Sequence, residues 1–377
     1  MKLVYITNAR IPTEKAHGVQ IMKACEAFAD AGAEVRLLVS DRTTPIAKDP
    51  FDFYGVRRNF TITRIKSFDA FRFESYLGRL SFWLNSISFL IGAAKEHLPS
   101  DALVYTRNAE IAWLFSKKGR RVAYEAHAWP ESKGRLLGRL LKSVGFIICN
   151  SKGTEAEFKK RGFKNTLAVP NGVDMKIFEA REKPAGLRNR LGLPKDKKIA
   201  MYTGHLYAWK GADVIMEVAD ALRADESIFF ALVGGTRHDA AKYGEIIKDK
   251  KLANVLLLGH KEQSMMPDYL ACADVLLLPN IPVSRESERY TSPIKMFEYM
   301  ASKKPIIASD LPSLREILNE QNAILVTPGN IKSFAEGIKK ALAGGSFVES
   351  ITAQAFADVQ NYTWEKRAQR ILNFLSA

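Results

Sequence analysis

The stretch "YTSPIKMFEYMA", residues 290–301, lies between two apolar runs and predicts the fold around it. The run before it, "DVLLLPN" (274–280), and the run after it, "KKPIIASD" (303–310), have the length and composition of buried strands. A strand, a helix and a second strand in this order indicate a βαβ unit. Ser292 is a typical N-cap residue and Pro293 suits the first helical position, so we expect the helix to begin there.

Glu298 is the one carboxylate in this predicted helix, and its position leaves two interpretations open. At roughly 100° per residue, Ile294, Phe297 and Ala301 share an apolar face, and Glu298 lies on the edge of that face. A solvated glutamate would lie on the opposite side, which favours a ligand-binding role. A surface pair with Lys295, three residues earlier, is the other interpretation.

Strands and helices alternate along the chain in two series. The first series has strands at 3–7, 33–40, 102–107, 121–126, 146–150 and 166–170, and the second at 199–204, 229–235, 254–259, 274–280 and 305–309. Each series indicates an α/β domain with a parallel sheet covered on both faces. The stretch "EAREKPAGLRNRLGLPKDKK" (179–198) interrupts the pattern as a linker would, so we expect domains at 1–180 and 181–361.

Length and composition are those of a folded protein with two domains, since the chain has 377 residues, 47% of them hydrophobic and 26% charged. The longest uncharged run (80–94) is shorter than the roughly 20 apolar residues that cross a bilayer. The beginning of the sequence lacks the pattern of a signal peptide. Cys25, Cys149 and Cys272 lie among apolar neighbours, as reduced core thiols do, so we expect a cytoplasmic protein.

The net charge of +15 is concentrated in the first half, where residues 1–180 hold 29 Lys and Arg against 18 Asp and Glu. The segment "SKGRLLGRLLKS" (132–143) combines a leucine stripe with basic residues. This pattern is typical of a helix on an anionic membrane surface, and also of an ordinary surface helix docked on its own domain. No nucleic-acid-binding motif accompanies the charge, so a nucleic-acid partner is not expected.

Several enzyme classes are excluded by missing motifs. The loop after the first strand has one glycine, so the dinucleotide fingerprint of dehydrogenases is absent, as are a Walker lysine motif, zinc-like Cys/His spacing and a G-x-S-x-G elbow. In open parallel sheets, ligands bind outside the carboxyl ends of the strands. The loops expected to carry function are 8–18, 126–130, 204–211, 234–238, 259–263 and 280–292.

Single residues in these loops suit ligand binding, and each also has an ordinary structural explanation. Lys210 precedes a helix that begins at a glycine, where a lysine would hold a phosphate, although it could be a surface lysine. His127 follows a strand directly and could donate to a substrate hydroxyl or be structural. Gly18 could cap the first helix or let a ligand approach the backbone.

Taken together, nine stretches resemble the GT4 family of retaining glycosyltransferases, the glycosyl transferases of group 1. They are "AHGVQIMKACEAFADAGAEV", "YEAHAWP", "ICNSKGTEAEF", "VPNGVD", "YTGHLYAWKGAD", "LVGG", "YLACADVLLLP", "SPIKMFEYMASKKPIIASDLPSLREI" and "YTWEKRA". The resemblance covers nearly the whole chain in the family's order. It implies the GT-B fold, in which two Rossmann-like doubly wound domains face an interdomain cleft. The N-terminal domain would bind the acceptor, the C-terminal domain would bind the donor, and a last helix at about 362–377 would pack back on the N-terminal domain.

The resemblance also implies roles for particular residues. Lys210 would bind the diphosphate of a nucleotide sugar, Glu298 the ribose hydroxyls, and His127 would face the transferred sugar. The residues implied in catalysis are His127, Lys210 and Glu298, and those implied in donor binding are Gly18, His205, Lys210, Gly234, Gly259, His260, Tyr290, Thr291, Ser292, Pro293, Ile294, Lys295 and Glu298. A fixed cation and backbone N–H groups would stabilise the leaving diphosphate, so neither a metal nor a cofactor is expected.

The sequence departs from the family at two of these positions. Tyr290 stands where the family often has a glutamate that contacts the donor sugar, and His205 stands where it often has an arginine. Glu286 and Glu288 are near enough in sequence to be substitutes for the missing carboxylate. These departures leave the identity of the transferred sugar open.

The resemblance therefore predicts a retaining glycosyltransferase that takes a sugar from a UDP- or GDP-linked donor. The acceptor would be a hydroxyl of a cell-surface glycan or of a lipid-linked intermediate, as in polysaccharide biosynthesis for the cell envelope. The basic N-terminal domain and the aromatic segment 68–84 would bring the enzyme to the inner face of the plasma membrane. A non-hydrolysing sugar-nucleotide epimerase and a catalytically inactive sugar-nucleotide-binding protein are the alternatives.

Overall fold

The computed structural model describes residues 1–179 and 186–377. These residues form two compact units. The first unit comprises Met1–Pro170 and Trp364–Ala377, and the second comprises Asn171–Thr363. Helices and strands are numbered along the chain, and each unit is described separately.

The first unit contains a parallel sheet of seven strands in the order β3-β2-β1-β4-β5-β6-β7. The strands are β1 (Lys2–Arg10), β2 (Glu34–Ser40), β3 (Thr61–Ile65), β4 (Leu103–Thr106), β5 (Val122–Ala126), β6 (Phe146–Cys149) and β7 (Thr166–Ala168). Its helices are α1 (Ala16–Asp30), α2 (Pro50–Tyr54), α3 (Glu74–Leu77), α4 (Arg79–Lys95), α5 (Ala109–Lys117), α6 (Gly134–Leu141), α7 (Lys152–Lys160) and, from the end of the chain, α17 (Trp364–Ser376). A 3₁₀ turn at Ala70–Phe73 precedes α3. Helix α17 packs against α1.

The second unit contains a parallel sheet of six strands in the order β10-β9-β8-β11-β12-β13. The strands are β8 (Lys198–Thr203), β9 (Ile228–Val233), β10 (Val255–Gly259), β11 (Val275–Leu278), β12 (Ile306–Ser309) and β13 (Ile324–Val326). Its helices are α8 (Lys176–Glu179), α9 (Leu187–Arg190), α10 (Ala212–Ala221), α11 (Arg237–Asp249), α12 (Met266–Cys272), α13 (Ile294–Ala301), α14 (Pro312–Arg315), α15 (Ile331–Ala343) and α16 (Ser346–Val359). Two 3₁₀ turns, Ala208–Lys210 and Gln263–Met265, and a π-type turn, Glu286–Tyr290, lie in its loops.

Both faces of the second sheet are covered, as the apolar runs of its strands predict. Successive residues of a strand point to opposite faces. Accordingly, Met201 of β8 and Leu276 of β11 belong to one apolar core, whereas Tyr202 and Leu277 belong to the other. The predicted doubly wound α/β architecture is confirmed. The sequence did not predict β3, an edge strand of the first sheet, or β13, an edge strand of the second. The sequence of β3, "TITRI", is mostly polar, and that of β13, "ILV", is only three residues long.

The division between the units differs from the predicted boundary at 180/181. Val173 donates from its backbone N–H to the Tyr362 carbonyl at 2.9 Å, which holds the chain after Pro170 in the second unit. Much of the predicted linker also belongs to that unit, because the guanidinium of Arg188 donates to the Cys272 carbonyl and to the Asp274 carboxylate at 2.9 and 2.8 Å. Positions 180–185 of that linker lie outside the described residues.

Candidate functional site

Three glycines lie at the carboxyl ends of β8, β9 and β10 in the second unit. Gly204, Gly234 and Gly259 all have positive φ angles, which favour glycine. Gly234 donates its N–H to the Gly259 carbonyl at 2.8 Å. A Cβ on Gly234 would lie 2.3 Å from the Gly204 carbonyl oxygen, so no other residue fits there. The glycines therefore bring the backbones of three successive strand ends close together at the edge where ligands bind.

Lys210 lies next to this edge, at the end of the turn Ala208–Lys210. Gly211 follows with φ of +81°, and a Cβ there would lie 1.8 Å from the Pro279 carbonyl oxygen, so the turn packs directly on the backbone that leaves β11. The ammonium nitrogen lies 5.2 Å from the ring centroids of both Tyr207 and Trp209. Burial lowers the pKa of Lys210 to about 8.

A second buried amine, Lys295, lies in the first turn of α13. Its Nζ is 3.6 Å from the ring centroid of Tyr202, and it has no hydrogen-bond partner among the described residues. Burial lowers the pKa of Lys295 well below its ordinary value, and the charge of Lys210 lowers it further. Two amines that repel each other in a desolvated position are stabilised by a bound anion.

Glu298 is buried on the same helix, with 6% of its surface exposed. The side-chain amide of Gln263 donates to its Oε1. Burial raises the pKa of Glu298 to about 7, against the opposing effect of that hydrogen bond. The interpretation of Glu298 as half of an exposed surface pair is therefore wrong.

The start of α13 differs from the prediction. The helix begins at Ile294, and Pro293 occupies the cap position without a side-chain cap. The hydroxyl of Ser292 is engaged elsewhere, because it accepts the backbone N–H of Asn171 at 3.1 Å. The Ser292 carbonyl also accepts the side-chain amide of Asn171 at 2.6 Å. The loop "VPNGVD" thus fixes the residues that lead into the helix.

The two positions that depart from the family have different surroundings. Tyr290 is buried at 2% exposure at the end of the π-type turn, whereas Glu286 is exposed at the beginning of that turn. The ring of His205 stacks on Tyr207 with centroids 5.1 Å apart, and its carbonyl accepts the Tyr202 hydroxyl at 2.6 Å. The Thr291 hydroxyl donates to the Ser313 hydroxyl at 3.1 Å. The remaining predicted residue of these loops, His260, is exposed.

His127 and Gly18 lie in the first unit. His127 directly follows β5, as predicted, and its Nε2 lies 3.3 Å from Oε1 of Glu125. Burial lowers the pKa of His127 to about 4, and the charge of Arg107 adds to that effect. A Cβ on Gly18 would lie 2.1 Å from the Tyr54 hydroxyl, which accepts and donates hydrogen bonds at the Thr13 backbone. Gly18 is thus required by packing within its own unit.

Sequence reasoning missed three residues that shape these positions. Gln263 bonds to Glu298, Asn171 holds Ser292, and Glu125 lies beside His127. Glu125 could have been noticed in the sequence. It lies in a run that is predicted to be a buried strand, and a buried carboxylate requires a partner. No group of three or more His, Cys, Asp or Glu suited to a metal occurs in residues 1–179 and 186–377.

Known proteins support a family assignment. Residues 197–344 match the family model described as "Glycosyl transferases group 1". A putative teichuronic acid biosynthesis glycosyltransferase, TuaC of Bacillus subtilis, is 24% identical over 63% of this chain and 57% of its own length. A D-inositol 3-phosphate glycosyltransferase of Xylanimonas cellulosilytica is 23% identical over 94% of this chain and 90% of its own length.

The fold has solved counterparts. The crystal structure of Anabaena HepE in complex with UDP and glucose matches with a TM-score of 0.77 and 16% identity, covering 100% of both chains. At this identity the likeness concerns the fold. The likeness confirms the predicted fold class, and the family match over residues 197–344 supports the similarity to group 1 glycosyltransferases. The chain has the GT-B fold and is similar to group 1 glycosyltransferases, whose family model matches residues 197–344.

Proposed function

We propose that this enzyme transfers a sugar from a UDP- or GDP-linked donor, with retention of anomeric configuration, to a hydroxyl of a cell-surface glycan or a lipid-linked acceptor. The donor would bind to the second unit, with its diphosphate at Lys210 and Lys295 and its ribose at Glu298. Retention would follow because the acceptor hydroxyl attacks the sugar from the same face from which the diphosphate departs. The named relatives act in teichuronic acid biosynthesis or on inositol phosphate, which leaves the acceptor class broad.

One observation carries the proposal: the buried amines of Lys210 and Lys295 lie at the carboxyl ends of the strands of a parallel sheet, burial lowers the pKa of both, and the charge of Lys210 lowers the pKa of Lys295 further. Departure of the sugar leaves negative charge on the diphosphate, and cations held in place beforehand stabilise that charge without reorganising. A Cβ on Gly259 would meet open space and one on Gly204 would meet only the Lys295 side chain, at 3.9 Å, so the nucleotide could approach the backbone at these two strand ends. Glu298, partly protonated near neutral pH, can accept hydrogen bonds from two ribose hydroxyls once it is ionised.

A thermal-shift screen against UDP- and GDP-sugars tests donor binding. Stabilisation follows RT ln(1 + [L]/Kd), so the natural donor raises the melting temperature most. We expect Lys210→Ala and Glu298→Ala to abolish the shift. Lys242→Ala, on the exposed face of α11 in the same unit, is the matched control and should keep it. Wild-type protein that no sugar nucleotide stabilises would contradict the proposal.

Two alternatives are separated by following the reaction. An epimerase would interconvert UDP-sugars with no acceptor present, which NMR of the donor alone detects. An inactive binding protein would show the thermal shift but no sugar transfer to membrane or glycan fractions. Transfer that depends on Lys210 and Glu298 and persists after EDTA treatment is the outcome that we expect.

We further propose that the first unit binds an anionic membrane surface. No helix within the described ranges, 1–179 and 186–377, is long and apolar enough to cross a bilayer. Helix α4 nevertheless exposes the large apolar side chains Leu80, Phe82, Trp83, Ile87 and Ile91. Helix α5 contacts both α4 and the basic helix α6, and Lys133 lies 5.5 Å from the ring centroid of Trp83. Apolar side chains beside lysine and arginine suit a bilayer with anionic lipid.

Helix α6 itself is partly docked, since Leu137 and Leu141 are buried in its own unit while Leu136 is exposed. A cavity of about 760 Å³ lies against it. Arg135, Arg139 and Lys142 line this cavity. These cations suit the phosphate of a lipid headgroup or of a lipid-linked acceptor.

Vesicle flotation tests the membrane proposal. Wild-type protein should float with vesicles that contain anionic lipid and less with neutral vesicles. Phe82→Ser with Ile87→Ser should reduce flotation severalfold. Phe347→Ser removes an exposed aromatic side chain from the second unit and should leave flotation unchanged. Equal flotation with neutral and anionic vesicles would overturn the proposal.

A further inference from the structure

A buried carboxylate with several polar neighbours lies next to His127. Glu125, with 1% exposure, accepts hydrogen bonds at Oε1 from Gln20 at 2.5 Å and from Arg367 at 2.6 Å. Its Oε2 accepts the Tyr5 hydroxyl at 3.4 Å. Arg367 is contributed by α17, the helix that returns from the end of the chain to the first unit, and it also donates to the Pro170 carbonyl at 3.1 Å.

These contacts keep Glu125 ionised. Burial alone would raise the pKa of Glu125, but the charge of Arg367 and the contact with His127 outweigh it and hold the pKa well below its ordinary value. A buried carboxylate anion can only accept hydrogen bonds. Any nitrogen in contact with it must therefore carry a proton.

His127 meets this carboxylate through one defined nitrogen. Nε2 is 3.3 Å from Oε1 of Glu125 and is enclosed, whereas 26% of the side chain is exposed. The geometry of this contact is less regular than that of a hydrogen bond, as is common for catalytic pairs before substrate binds. Because Nε2 is enclosed, Nδ1 is the ring nitrogen left for a ligand.

We infer that Glu125, held by Arg367, is a positioning residue that fixes His127 as the Nε2–H tautomer, so that Nδ1 accepts a hydrogen bond from a hydroxyl of the bound sugar. In a neutral imidazole one nitrogen donates and the other accepts, and the partner of one decides the role of the other. The inference rests on the proposed function, and it takes from the family resemblance the expectation that His127 faces the transferred sugar. It reverses the expectation from sequence that His127 donates.

The other charged groups that face His127 favour the same neutral state. Arg107 and Arg367 are cations, and His17 is a further imidazole whose pKa is lowered to about 4 by burial and by Arg107. Arg107 in turn donates to the side-chain oxygen Oε1 of Gln20 at 2.8 Å, so the NH₂ group of Gln20 faces Glu125. Among the charged groups of residues 1–179 and 186–377 that act most strongly on His127, Glu125 is thus the anion.

NMR of ring-¹⁵N-labelled histidine tests the inference without substrate. The chain has six histidines, and His127→Asn identifies the resonance of interest. We expect the shift pattern of an Nε2–H tautomer at neutral pH, with a downfield, slowly exchanging Nε2 proton. A ring proton on Nδ1 would overturn the inference.

Paired variants show whether Glu125 is responsible. Glu125→Leu with Arg367→Met removes both buried charges together, which avoids leaving one unpaired. This double variant should lose the downfield proton. Glu125→Gln keeps an acceptor oxygen without the charge and should shift the proton upfield by a smaller amount, which provides a second measurement if the double variant fails to fold. Tyr5→Phe removes the contact at Oε2 alone and should leave the His127 resonance in place. An unchanged proton shift in both Glu125 variants would contradict the inference.

Turnover separates this inference from the proposed function. Glu125→Leu with Arg367→Met should lower kcat about tenfold, with a smaller change in the KM for donor, because a displaced group loses orientation. Adding Glu125→Leu and Arg367→Met to His127→Ala should not lower kcat below that of His127→Ala alone. If the protein transfers no sugar at all, the proposed function fails while the NMR result still decides the tautomer.

Discussion

The side-chain amide of Asn171 donates to the backbone carbonyl of Ser292 at 2.6 Å, across 121 positions of the chain. The Ser292 hydroxyl returns the contact by accepting the Asn171 N–H at 3.1 Å. The first residue of the second unit thereby fixes the peptide that leads into α13, the helix that carries Lys295 and Glu298.

Asn171→Ala should weaken both folding and donor binding. Losing a buried hydrogen bond costs about 1–2 kcal/mol of unfolding free energy, which urea denaturation measures. The affinity for UDP should also fall severalfold, because the start of α13 is no longer held. Asn254→Ala is the matched control, since that amide donates to the Ala219 carbonyl at 2.9 Å in the same unit. It should lower stability without changing UDP affinity, and equal affinities for the two variants would contradict the prediction.

Gly211→Ala should be strongly destabilising. The backbone has φ of +81°, and the added Cβ would lie 1.8 Å from the Pro279 carbonyl oxygen. We expect a loss of about 3 kcal/mol in unfolding free energy and a weaker thermal shift with UDP-sugars, because the turn that carries Lys210 must move. Gly244→Ala, inside α11 with open space around its Cβ, should instead stabilise the protein by up to about 1 kcal/mol. If the two substitutions changed the unfolding free energy by similar amounts, the close approach of Gly211 to the Pro279 carbonyl would not be the cause of the destabilisation.

Glu298→Gln should stabilise the protein at alkaline pH. The native pKa of Glu298, about 7, lies above the ordinary value of 4.5, so the native state binds the proton more tightly than the unfolded chain. The ionisation of Glu298 therefore lowers the unfolding free energy as pH rises from about 4.5 to 7, by up to about 3 kcal/mol. The variant removes that loss.

Melting temperatures at pH 5 and pH 8 measure this effect. The two proteins should differ less at pH 5, where the native carboxyl is protonated, and the variant should be the more stable one at pH 8. If the difference in melting temperature between Glu298→Gln and wild type is the same at pH 5 and pH 8, the prediction of a buried, ionised Glu298 is wrong. Glu288→Gln, on a half-buried residue of the same unit, provides the comparison.

Nucleotide binding should take up protons near pH 8.5. Burial lowers the pKa of Lys210 to about 8, so part of the amine is neutral there, and a bound diphosphate favours the charged form. Calorimetry of UDP binding in buffers with different ionisation enthalpies measures the uptake. The arginine of the Lys210→Arg variant stays charged at this pH, so the variant should take up fewer protons when UDP binds. The remaining uptake would come from Lys295. Equal proton uptake by wild type and Lys210→Arg would exclude Lys210 as the diphosphate ligand.

Much of the fold could be predicted from local pattern, because buried parallel strands have continuous apolar runs. The central strands of both sheets were found in this way, whereas the outermost strands β3 and β13 were too polar or too short. The N-cap at Ser292 was predicted wrongly for a different reason. Its hydroxyl satisfies a backbone N–H that is distant in sequence, and that competition is invisible in a local pattern.

The sequence by itself determined the doubly wound architecture and the residue types at the strand ends, because these depend on periodicity and motif spacing, and it carried the resemblance to group 1 glycosyltransferases. The tertiary structure decided that Glu298 is buried beside Gln263, that the charge of Lys210 acts on Lys295, and that Arg367 reaches Glu125 from the last helix. The physical reason is that burial and charge contact depend on distances between segments far apart in sequence. The same stretch that suggested an exposed Glu298–Lys295 pair thus proved, once folded, to contain a buried amine and a buried carboxylate on one helix.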